Sequence, residues 1–277
     1  MKGFFKSVLA TVVGIVVFLI IAGIFGVMSI VGMVASGQAT QTVKDGSVLV
    51  LNLSGVIEEQ GQDDIIGKLT GSYSSTTGLN NILTAIGKAK DNPNIKGIYI
   101  EAGVLSASYA TLQEIRGALE QFRKGGKWIV SYADSYSQGA YYVASAANKV
   151  YINPQGMLEW HGIGTQPIFY KDLFAKFGVK FQVVKVGTFK SATETYTEEH
   201  MSDANRLQTQ TFVGGMWNNV CQAVSKSRGI SVDSLNSYAD QMTEFQPTDL
   251  YIKRKMVDGV MYADKVKDVV KKLLKLE

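Results

Sequence analysis

The chain has 277 residues, 46% of them hydrophobic and 19% charged, enough for one large or two small domains around a well-buried core. Its net charge of +4 is mild, and its lysines are scattered except near the C-terminus, which argues against a nucleic-acid surface. The single cysteine, Cys221, can form no intrachain disulfide. The two histidines, His161 and His200, are far apart and lack ligand partners at metal-binding spacing. No metal and no cofactor is expected.

Residues 8–35 carry no charge and are rich in Val, Ile, Leu and Phe. As a helix this stretch is longer than the ~30 Å hydrocarbon core and can span it with some tilt. A cleavable secretory signal has an apolar region of only about 7–15 residues. We therefore read residues 1–36 as one uncleaved transmembrane anchor. Lys2 and Lys6 precede the span, and Lys44 is the first cation after it. The positive-inside rule then leaves the N-terminus in the cytoplasm and the body on the extracytoplasmic face of a single-pass membrane protein.

Residues 37–46 are polar and read as a linker, and residues 47–277 as the folded domain. The apolar run Val48-Leu49-Val50-Leu51-Asn52-Leu53 predicts a strand covered on both faces and stopped by Ser54-Gly55. Residues 58–77 read as a loop, in which Asp63 and Asp64 are solvated. Leu79, Ile82, Leu83 and Ile86 follow helical spacing up to Asp91-Asn92-Pro93. A strand over 95–100 is followed by a helix marked by Tyr109, Leu112, Ile115, Leu119 and Phe122 and closed by Gly125-Gly126. A third strand covers 128–132, a small-residue turn follows, and then a helix over 140–147 and a short strand over 150–152. Residues 169–177 are helical up to Gly178, and 181–186 predict a strand leading to Lys190. Beyond it, Ser202-Asp203 marks a helix start, and Val213, Trp217, Val220 and Val224 mark a face ending at Arg228-Gly229. Further helices are predicted over 232–239 and 249–257, with a turn at Asp258-Gly259 and a basic terminal helix lined by Val266, Val269, Val270, Leu273 and Leu274. Alternating strands and helices imply an α/β fold with mainly parallel pairing, followed by a helical segment.

The chemistry centres on Val186-Gly187-Thr188-Phe189-Lys190-Ser191-Ala192. A lysine acts as a base near neutral pH only when its amine is desolvated among apolar groups. Between Phe181 and Thr193 there is no acid, and Glu194 is the nearest. On local context alone a solvated loop lysine is the better explanation of the stretch. Two further stretches decide between these readings: Ser135-Tyr136-Ser137-Gln138-Gly139-Ala140-Tyr141-Tyr142-Val143-Ala144-Ser145, and Ala147-Asn148-Lys149-Val150-Tyr151-Ile152-Asn153-Pro154-Gln155-Gly156. In this order and separation, the three resemble bacterial signal peptide peptidases of the protease IV type, from the anchor to the last helix.

That resemblance implies a ClpP/crotonase-like spiral of ββα units with a helical C-terminal segment. It also implies a Ser–Lys dyad that cuts remnant signal peptides in the bacterial inner membrane. Lys190 falls on the lysine of the family's motif and is the expected catalytic base. The serine does not carry over: Gln138 stands where the nucleophile of single-domain members precedes their Gly-Gly-Tyr, and Ser137 is one residue out of place. Glu101-Ala102-Gly103-Val104-Leu105 replaces the family's Pro-Gly-Gly oxyanion turn. The chain thus resembles the lysine-bearing first half of the long family members. The serine is expected from a second half or a homologous subunit, in a homo-oligomer on the lipid bilayer acting on apolar peptides. The competing expectations are a catalytically inert scaffold or binding subunit, and an acyl-CoA enzyme of the crotonase type.

Overall fold

A computed structural model describes residues 2–37, 42–61 and 77–276; Asp63 and Asp64 lie outside the described residues. Contacts divide the chain into Met1–Lys44 and Asp45–Glu277. The first unit contains one helix among its described residues, α1 (Lys2–Gly37). Its segment Gly3–Ser29 is long and apolar enough to cross a membrane, about 40 Å at 1.5 Å per residue. Two hydroxyls within it turn back on the helix, Thr11 Oγ1 donating to Ser7 O and Ser29 Oγ to Phe25 O. Neither hydroxyl hydrogen is left unbonded on the apolar helix surface.

The second unit is built on a six-stranded sheet in the order β2-β1-β3-β4-β5-β6, parallel throughout. Its strands are β1 (Ser47–Glu58), β2 (Thr77–Gly78), β3 (Ile95–Ser106), β4 (Trp128–Ala133), β5 (Lys149–Ile152) and β6 (Gly259–Val260). Helix α2 (Leu79–Asp91) joins β2 to β3, α3 (Tyr109–Lys124) joins β3 to β4, and α4 (Gln138–Ala144) joins β4 to β5. After β5 come α5 (Lys171–Lys176), α6 (Glu194–Thr197), α7 (Asp203–Arg228), α8 (Val232–Asp240) and α9 (Thr248–Lys253), then β6 and α10 (Ala263–Leu273). The α/β architecture with a helical C-terminal part is as the hydrophobic patterning predicts.

Side chains alternate across the sheet as the two-residue period of a strand requires. Ile98, Ile100, Ile129, Val150 and Ile152 enter one cluster with Ile115 and Leu119 of α3, whereas Tyr99, Val130, Tyr132 and Tyr151 form a second with Val266 of α10. Both faces are covered, which is why the strands read as near-continuous apolar runs. Arg116 fastens the layers. Its buried guanidinium donates to Tyr142 O, to Ser145 Oγ at 2.7 Å, to Ala223 O at 2.9 Å and to Ser227 Oγ at 2.9 Å, so one side chain of α3 holds both α4 and α7.

Three expectations are corrected. Strand β1 does not stop at Ser54-Gly55. Gly55, at φ +76°, absorbs a register shift between Leu53 and Gly55, and pairing resumes to Glu58. A bulge with a left-handed glycine lets a strand bend and continue where a β-branched residue would end it. Asp258-Gly259 is not only a turn: Gly259 and Val260 pair with Tyr151 and Ile152 as β6. Residues 181–186 form no strand. Their sequence suits one, but a strand needs a neighbour to pair with, and the sheet that runs from β2 to β6 does not include this segment.

Candidate active site

Strand β4 ends at Ala133 and delivers the chain to the N-terminus of α4. Ser137 caps that helix, its Oγ accepting from Ala140 N at 3.3 Å. The turn is held against the segment after β5: Tyr136 N donates to Met157 O at 2.8 Å and Glu159 N to Tyr136 O at 2.9 Å. Gly156 permits this approach, because a Cβ there would lie 2.1 Å from Asp134 O. The first two motif stretches also meet directly, Tyr136 Oη donating to Tyr151 O at 3.1 Å.

Gln138, the first residue of α4, is 5% exposed, and its carboxamide is fully engaged. Nε2 donates to Tyr109 Oη at 2.7 Å and to Gly162 O at 3.0 Å. Oε1 accepts from His161 N and Gly162 N, both at 3.0 Å. An amide has two donor hydrogens and two acceptor lone pairs, and all four are used here. The position that the family resemblance assigns to a nucleophile is filled by a buried strut. The neighbouring Ser137 hydroxyl accepts the cap hydrogen bond of α4. The stretch Glu101-Ala102-Gly103-Val104-Leu105 lies inside β3, with Glu101, Ala102 and Leu105 paired to Asn52, Leu53 and Gly55; no turn forms there.

Among the described residues, no hydrogen bond or ion pair joins Lys190 to Ser137 or Gln138. The lysine ends an extended arm. Among the described residues, residues 180–190 make no backbone–backbone hydrogen bond. The arm's apolar side chains face solvent, Val184 at 98% and Val186 at 84% exposure. Gly187, at φ +100°, turns the chain into Lys190. The lysine is itself exposed, and no carboxylate pairs with it among the described residues. Desolvation by its own chain, expected from the apolar sequence, is therefore not found. The reason is the missing strand: without a ladder partner the arm lies open. Val183, Val184, Phe189, Lys190 and Thr193 line a shallow depression of about 290 Å³.

The arm is anchored at its two ends. Upstream, the Phe181 ring sits 4.9 Å from that of Phe174 and 5.1 Å from that of Tyr196. Downstream, Glu194 is 2% exposed and accepts from Ser202 Oγ at 2.6 Å, Ser202 N at 3.2 Å and Asn205 Nδ2 at 2.9 Å. Burial pushes its carboxyl upward, but these hydrogen bonds and the nearby Lys185 outweigh that effect and hold it below the usual range. The sequence offered no sign of this role beyond the presence of an acid.

Other candidates are structural. Cys221 is buried in α7, and burial pushes its thiol up to about 12, which makes it unreactive. A cavity of about 580 Å³ is lined by Arg123, Arg228 and Lys255, and its two guanidiniums are spent on the fold. Arg123 donates to Ala146 O, and Arg228 donates to Lys255 O and pairs with Asp258 at 2.8 Å. No group of three or more His, Cys, Asp or Glu among the described residues is placed to hold a metal ion.

Residues 121–277 match the model of peptidase family S49. The chain is 31% identical over 221 residues to "Protease 4" of Haemophilus influenzae, covering 77% of this chain and 36% of that protein. To "Protease 4" of Salmonella typhi it is 35% identical over 228 residues, covering 79% and 36%. To "Serine protease SPPA, chloroplastic" of Arabidopsis thaliana it is 26% identical over 238 residues, covering 86% and 34%. The chain spans about a third of the length of these relatives. The matched region runs from the end of α3 through the α4 turn and the lysine arm to the terminal helix, and on that match the chain belongs to peptidase family S49.

Proposed function

We propose that this chain supplies the general base, Lys190, of a membrane-anchored serine endopeptidase that degrades remnant signal peptides, the nucleophilic serine coming from a second half or a homologous subunit. The observation that carries this reading is the open lysine arm. Residues 181–186 have the sequence of a strand, and among the described residues the backbone of 180–190 finds no backbone partner, whereas the chain's own candidate nucleophile position is a buried, fully bonded Gln138. A neighbouring segment laid along the arm would pair its free N–H and C=O groups and exclude water from the amine. That is the setting in which lysine works as a base. The serine hydroxyl then attacks the peptide carbonyl while Lys190 Nζ takes its proton. The same ammonium returns the proton to the departing amine as the acyl-enzyme forms, and backbone N–H groups of the serine half hold the oxyanion.

Helix α1 serves as the anchor, with residues 1–36 in the span, 37–46 as linker and 47–277 as the peptidase domain. Lys2 and Lys6 keep the N-terminus cytoplasmic and the domain extracytoplasmic. A site tethered at the bilayer meets short apolar helices, the composition of signal-peptide remnants. The test is to mix the full chain with a separately prepared serine-bearing half and follow cleavage of an apolar peptide. Activity should appear with the wild-type chain and vanish with Lys190→Ala; cleavage that survives this substitution refutes the assignment.

The second reading, an inert scaffold, is favoured by the engaged hydroxyl of Ser137 and by the burial of Gln138. A serine-directed phosphonate separates the two readings. The chain alone should not be labelled, the serine half should be, and labelling at Ser137 would overturn the two-part site.

A further inference from the structure

Glu194 is bonded more heavily than its place in the chain requires. A carboxylate withdrawn from water must be hydrogen-bonded, and an apolar residue would fill the same space without that demand. Its bonds do not serve to cap α7, because Ser202 already does so, accepting from Asn205 N at 3.2 Å. Instead they bridge two segments, joining the residue that follows the Lys190 turn to Ser202 and Asn205, eight and eleven residues further on. The turn itself closes between them, with Glu194 N donating to Ser191 O at 3.0 Å and Thr197 N to Thr193 O at 3.2 Å. Only residues 191–193 separate the lysine from this anchor. Upstream, the nearest anchored side chain is Phe181, and the intervening backbone is unbonded.

We propose that Glu194 is the positioning residue for Lys190: its buried carboxylate pins the lysine turn to the first turn of α7 and fixes where the amine is presented to the serine. This rests on Lys190 being the base, and it identifies what holds that base still. The N-terminus of a 26-residue helix suits such an anchor, since its unpaired N–H groups and dipole favour an anion. Small displacements of a reacting group carry a large penalty, on the order of 10²-fold for 1 Å. Loss of the pin should therefore be read in turnover rather than in substrate binding.

The experiment uses the full chain assembled with a serine-bearing half, each variant first checked for native circular dichroism. Glu194→Ala should lower kcat about 100-fold with KM within about twofold of wild type. Glu194→Gln, which keeps one acceptor oxygen for Ser202 and Asn205, should recover part of the loss. The decisive arm uses Lys190→Gly with added methylamine, in which a free amine replaces the tethered one. Adding Glu194→Ala to that variant should leave the methylamine-rescued rate unchanged, because no tether remains to be positioned. An equal fall in the rescued rate would make Glu194 merely structural and overturn the proposal, as would a wild-type kcat in Glu194→Ala. Full activity of Lys190→Gly without amine would instead refute the base assignment, a separate failure with its own readout.

Discussion

Replacing Gln138 by leucine tests whether the nucleophile position has become a strut. The two side chains are close in size, so the substitution removes the carboxamide while leaving most of the packing. Four hydrogen bonds are lost. Tyr109 Oη can turn its own hydrogen elsewhere, but His161 N, Gly162 N and Gly162 O are left without that partner. A typical hydrogen bond contributes about 1 kcal/mol net, and an orphaned buried group costs about 1–3 kcal/mol. Allowing for some water entry, we expect Gln138→Leu to destabilise the domain by about 3 kcal/mol. For a domain of this size that lowers Tm by about 6–12 °C. Thermal and urea unfolding of the full chain in detergent, followed by circular dichroism, measures both. A change below about 0.5 kcal/mol, the usual size for a surface substitution, would mean that the carboxamide is not structural, and the position would then have to be reconsidered as a binding or catalytic one.

Arg116→Met should destabilise by about 3 kcal/mol, since carbonyls of α4 and α7 lose a charged donor; urea unfolding at fixed detergent concentration reads it. Glu194 gives an acid limb of known sign. Its carboxyl is held below the ordinary 4.5, so its contribution is complete above that value and is lost as pH falls through the lower folded-state value. In Glu194→Gln this part of the acid destabilisation should disappear, and an unchanged slope of stability against pH below 4.5 would contradict the buried ion. Cys221 should resist alkylation by iodoacetamide at pH 8 in the folded chain and react on unfolding, with labelling quantified by mass spectrometry. Rapid labelling of the native chain would place its thiol outside the core.

Much of the fold was legible because burial leaves periodic traces. Helix α7 begins and ends where Ser202 and Gly229 predict, because a hydroxyl cap and a left-handed glycine are local features. Strands β3 and β4 were visible as apolar runs but were read short, since pairing carries β3 on through Glu101 to Ser106. Gly55 was read as a stop, although a glycine at positive φ can equally carry a bulge.

For the candidate site, sequence alone determined the residue types: a lysine among small and apolar residues, and a glutamine at the position the family resemblance aligns with a nucleophile. Only the tertiary structure decided what those residues are free to do. Gln138 could have been an exposed substitution of no consequence, but the meeting of α3, α4 and the segment after β5 closes four hydrogen bonds around it. Glu194 looked like a bystander to Lys190, yet the approach of α7 buries its carboxylate against Ser202 and Asn205. The apolar surroundings of Lys190 suggested a buried amine, and the fold leaves it open. Desolvation depends on what packs against a segment, and residues 181–186 carry the sequence of a strand with no neighbouring strand among the described residues.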